Sequence, residues 1–109
     1  MAVTGSTAVK HVVVSIASAT TTEIVAAVAG KVIRVLSYTL SPLTPTTWKW
    51  QSSTGTVALS GTFVVVGVAY SAHGSRDLPL LETAAGDALQ IVTTGATVSL
   101  QGHISYTVT

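Results

Sequence analysis

Charge is scarce in this chain: of 109 residues only 8% are Asp, Glu, Lys or Arg, while 48% are hydrophobic. A domain of this size exposes much of its surface, and a free monomer normally covers that surface with charge. Here the outer surface has to be built from hydroxyls and small apolar groups, which suits packing against copies of itself or against a larger assembly. The five basic and four acidic residues are scattered, with Arg76–Asp77 the only adjacent pair of opposite charge. Without a polybasic stripe there is no counterion release on nucleic acid and no attraction to anionic lipid, so neither is an expected partner. Cysteine is absent, which excludes disulfides and thiolate metal sites. Met1 to Thr7 lacks the positive and apolar regions of a secretory signal, and the expected product is made in a host cytoplasm. The uncharged run from Trp50 to Ser75 is broken by Gln51, Ser52, Ser53, Thr54, Gly55, Ser60, Gly61 and Gly67, which argues against a membrane span.

What is abundant is Val, Ile and Thr, whose branched side chains suit a pleated surface better than a helix. The expected strands are Val9 to Ile16, Glu23 to Val28, Lys31 to Leu40, Thr47 to Ser52, Thr56 to Leu59, Thr62 to Val68, Ala88 to Thr93 and Thr97 to Thr107. Eight short strands in one chain of this length predict an all-β fold, a jelly-roll-like antiparallel β-sandwich of about eight strands. Gly30, Gly55, Gly61, Gly86 and Gly95 fall between the apolar runs, and Pro42 and Pro45 break the segment before Trp48. Thr20 to Lys31 also carries a helix pattern, with a Thr cap and Gly30 as a stop. It is short and runs through a Gly turn into the next strand, so a strand is the expectation. The length allows one domain, residues 9–109, preceded by a short arm at 1–8 that is rich in Thr, Ser and Gly.

Alternation adds detail. Trp48 and Trp50 share one face of their strand and Lys49 and Gln51 the other, as in a strand with one wet side. In Val12 to Val14, Val32 to Leu36 and Phe63 to Val66 both faces are apolar. One face of a sandwich strand is buried in its own core, so the second calls for a cover, and a partner subunit is the expected one. Trp48, Trp50, Phe63, Val65, Val13 and Val35 are therefore candidates for core or interface packing.

Residues that carry catalysis do not fall into a pattern. His11, His73 and His103 have no metal-ligand spacing, and Glu23, Asp77, Glu82 and Asp87 sit in no motif that would tune a carboxyl group. No G-x-S-x-G elbow, P-loop or G-x-G-x-x-G occurs. The expectation is a protein without catalytic residues, metal or cofactor. Ser71 to Asp77 is the most loop-like stretch, and His73, Arg76 and Asp77 are candidates for a partner-contact loop, where Arg is favoured. A Trp-x-Trp pair can also stack on a sugar ring. Its place in mid-strand favours packing, and Tyr38, Tyr70 and Tyr106 do not cluster with it along the chain.

Four segments, Ala29 to Tyr38, Trp48 to Ser52, Glu82 to Leu89 and Gly102 to Tyr106, resemble in that order small virion proteins of tailed bacteriophages and prophages, of the head-decoration or fibre-associated kind. The likeness covers Thr22 to Thr109, with Val64 to Leu78 less typical of the group. It implies a homotrimeric jelly-roll-like domain attached to a capsid or tail, with no catalytic residues to carry over. The expected function is that of a capsid decoration (cement) protein on the outer surface of the head, with the major capsid protein or another virion protein as partner. The alternative is a tail-fibre or receptor-binding module that recognises a bacterial surface glycan, and a free-standing lectin is third. Buried tryptophans favour the structural role, and an exposed pair beside polar groups the sugar.

Overall fold

The computed structural model describes residues 8–54, 57–65, 70–75 and 78–109, with side chains other than those of Val64 and Val65. Most of the expected arm, residues 1–7, and Arg76 and Asp77 lie outside the described residues. Among the described residues there are ten strand segments: β1 (Lys10–Ile16), β2 (Thr21–Val25), β3 (Ile33–Pro42), β4 (Thr46–Ser52), β5 (Val57–Ala58), β6 (Phe63–Val65), β7 (Tyr70–His73), β8 (Leu81–Glu82), β9 (Leu89–Thr94) and β10 (Leu100–Val108). All pairings are antiparallel. One sheet runs β1-β10-β3, with β7 and β8 both on the far side of β3; the other runs β2-β9-β4, with β5 and β6 both beside β4. The first strand thus pairs with the last and the second with the last but one, and β3 and β4 pair with the segments nested between. This is the rolled-up pairing of a jelly roll. The ten segments fill eight lanes, because two edge lanes are each interrupted.

The stretch Thr20 to Lys31 forms β2 and then a turn, with the Lys31 N–H bonded to the Val28 carbonyl and Gly30 at φ 71°. β7 was not expected as a strand. Only Tyr70 and Ala72 on it face the core, while Ser71 and His73 are exposed, so it lacks the β-branched alternation by which a strand is read. His73 accordingly lies at the end of an edge strand, opposite Ser37, and not in a loop.

Between the sheets lie Val14, Ile16, Ile33, Val35, Leu40, Leu89, Ile91, Leu100, Ile104 and both tryptophans. Trp48 and Trp50 are fully buried. They project from β4 towards Tyr38 on β3 and Tyr70 on β7. Trp48 stacks on Phe63 with centroids 4.4 Å apart and meets Tyr70 edge-on at 5.6 Å; Trp50 lies 5.4 Å from Tyr38. Aromatic residues apart in sequence therefore do gather, but inside the sandwich. Burial raises the Tyr38 hydroxyl pKa, and the neighbouring Trp50 indole offsets this in part. Among the described residues neither indole N–H meets an acceptor in full hydrogen-bond geometry, although the Trp50 indole stands close enough to Tyr38 to act on its hydroxyl.

The run Val32 to Leu36 needs no partner subunit to cover it. Ser105 pairs with Ser37 but Tyr106 pairs with Val35, so Leu36 is an extra residue in β3. This bulge shifts the alternation, and Ile33, Val35 and Leu36 are all buried within one chain.

Candidate interaction surface

Registers decide which side chains share a face. On the outer side of the first sheet, one row across the strands reads His11, Ser105, Ser37, His73, and the next Val13, His103, Thr39, Ser71. A third row holds Ser15, Gln101 and Ser41. The alternate residues Val12, Val14, Ile104, Tyr38, Leu40 and Tyr70 point into the core. No Lys, Arg, Asp or Glu stands in these rows. Charge is kept to the rim, where Arg34 and Glu82 pair at 3.6 Å on β3 and β8 and Lys10 opens β1.

All three histidines thus come onto one face, but they do not converge. His11 and His73 stand in outer lanes of the same row, and His103 lies between them one row along. No group of three or more His, Asp or Glu side chains among the described residues is placed to hold a metal ion. His11 Nδ1 lies 2.9 Å from Ser105 Oγ, the spacing of a nucleophile and its base. The pair lies exposed on an open sheet, with no carboxylate in its rows to orient the imidazole. The same face carries weaker contacts from Ser71 Oγ to Thr39 Oγ1 and to His73 Nε2, each 3.4 Å. Chemically it is a lattice of hydroxyls and imidazoles able to donate and accept hydrogen bonds.

Among the described residues the acidic side chains have structural roles or stand apart. Asp87 is buried, accepts hydrogen bonds from the Ser52 hydroxyl and the Thr54 N–H, and is held below the usual Asp pKa by them. Ser52 in turn accepts from the Ala84 N–H, and Thr83 accepts from the Ile33 N–H, so the loop Thr83 to Asp87 is tied to β3 and β4. Glu23 is exposed on β2.

The candidates of the sequence divide as follows. Trp48, Trp50 and Val35 are core, and Phe63 packs on that core. Val65 is placed by its backbone opposite Thr46 on β6. Val13 is not core: it is 77% exposed, in the middle of β1. Of the three runs read as apolar on both faces, this is where an apolar side chain of the described residues is left outside. The burial of both tryptophans removes them as a sugar platform. Among the described residues, the outer side of the second sheet has a shallow depression of about 210 Å³ lined by Thr47, Trp48, Lys49, Thr62, Val92 and Thr94. No helix of the described residues is long and apolar enough to cross a membrane.

The histidine and hydroxyl face was hidden from sequence reasoning because its rows join residues as far apart as His11 and Ser105. Alternation gives which side chains share a side of one strand but not which strands lie next to one another. Comparison of the chain with protein families, with curated proteins and with solved structures finds no match.

Proposed function

We propose that the chain is a non-catalytic structural subunit of a bacteriophage particle, a decoration protein that binds the outer surface of the head. One observation carries this reading: the outer face of the first sheet is free of formal charge across its rows. A face meant only for water would carry Lys and Glu there, as sheet surfaces ordinarily do. Hydroxyls cost less to desolvate than ions, and they bond equally well to a protein surface. The jelly roll is compatible with this role, since viral capsid domains use it, but lectins use it too and the fold alone does not choose. Attachment would act through area and copy number: many subunits, each making modest contacts, tie neighbouring capsomers together.

The test is co-sedimentation of the purified protein with heads that lack it. Wild type should pellet with the heads, and Thr39→Glu, which sets a charge in the middle of the face, should not, although its circular dichroism is unchanged. Binding that is indifferent to Thr39→Glu would remove the face from the proposal. Specific binding on a glycan array, with no attachment to heads, would put the fibre-module reading in first place.

A further inference from the structure

Four lanes form the edges of the two sheets, and three of them are blunted in ways that prevent strands of other chains from adding on. The β2 edge is short, carries the exposed Glu23 and has a bulge between Glu23 and Val25. The edge beside β4 is broken between β5 and β6, where the Ser60 hydroxyl and not a backbone carbonyl accepts the Trp50 N–H. The edge beside β3 is broken between β7 and β8, where the Ser75 N–H turns back to the Leu78 carbonyl. β1 has none of these devices. Its seven residues, Lys10–Ile16, pair with β10 without a register shift, contain no Pro or Gly, and carry one charge, at the start. Among the described residues no backbone hydrogen bond reaches its outer side.

From this contrast we infer that β1 is an assembly edge, and that its occupant is β1 of a second copy, paired antiparallel about a two-fold axis through Val13. The strand is complementary to itself in that register. Val13 lies opposite its own counterpart, His11 opposite Ser15, Val12 opposite Val14, and Lys10 opposite Ile16, so no like charges meet. The His11–Ser15 pairing repeats on the open side the imidazole–hydroxyl contact that His11 already makes with Ser105 on the closed side. It also covers Val13, whose 77% exposure otherwise stands unexplained in the middle of a strand. A two-fold axis normal to the sheet keeps both outer faces on one side, so the two sheets join into one with a continuous uncharged surface. The inference concerns self-association alone and holds or fails independently of particle attachment.

Size exclusion with light scattering reads the outcome directly. Wild type should run as a dimer. Val13→Lys and Val13→Asp, at a position too exposed to disturb the core, should each keep the wild-type circular dichroism and weaken the dimer by roughly tenfold or more. Mixing the two should restore it, because the axis sets position 13 against itself. In a chain without cysteine, Val13→Cys should form a disulfide-linked dimer under mild oxidation, while Leu43→Cys, exposed on a distant loop, should not. A monomeric or trimeric wild type, or a dimer that Val13→Lys leaves intact, would overturn the inference.

Discussion

Gly102 shows how one residue constrains the sheet around it. It sits inside β10, between Val14 of β1 and Leu40 of β3, at φ 154°. A Cβ there would collide with the Thr39 carbonyl oxygen, a backbone atom that cannot swing aside. Gly102→Ala is therefore expected to cost at least about 3 kcal/mol, although it adds only a methyl group. Urea unfolding checks this, and a loss under about 1 kcal/mol would mean that the strands separate more easily than their register implies. Asp87 sets a pH dependence. Its folded pKa is depressed by the Ser52 and Thr54 hydrogen bonds, so its contribution to stability is complete above the unfolded carboxyl pKa, near 4, and is lost as pH falls through the lower folded value. Asp87→Asn should be less stable at neutral pH and should show a flatter decline below about pH 4 than wild type. Thermal melts across that range measure the difference, and parallel curves for the two proteins would contradict it.

At the scale of elements, β4 makes the clearest link between pattern and fold. The alternation Trp48, Lys49, Trp50 predicts one apolar side, and both rings are fully buried. Native tryptophan emission should be blue-shifted and poorly quenched by iodide, and Trp50→Ala should cost about 3–5 kcal/mol. Water-like emission in the folded protein would be incompatible with the sandwich. Seven of the eight lanes were legible in the chain because β-branched runs and Gly turns are local signals. β7 was not, since an edge strand that buries only Tyr70 and Ala72 needs few apolar residues. Nor was the bulge at Leu36, which depends on β10, a strand more than sixty residues away. That bulge is why the run Val32 to Leu36, read as a site for a partner subunit, is satisfied within one chain. The candidate face was legible residue by residue as hydroxyls and histidines, but not as a surface, because only the nested pairing sets β1, β10, β3 and β7 side by side.

For the whole molecule, few charges have consequences for how it associates. The rim holds the Arg34–Glu82 pair, Asp87 is buried, and the outer face of the first sheet carries no formal charge. Contacts through that face or along β1 therefore have few ion pairs to be screened. Raising salt from about 0.1 M to 1 M shortens the screening length from roughly 10 Å to 3 Å, which weakens assemblies held by exposed charges. Here it should change the dissociation constant by no more than about threefold, because hydrogen bonds between strands and burial of Val13 do not depend on screening. Sulfate, which is excluded from protein surfaces, should tighten association instead. Sedimentation equilibrium in sodium chloride and sodium sulfate gives both values. A steep loss of association in chloride would show that the scattered charges hold the copies together, and that neither the uncharged face nor the β1 edge forms the contact.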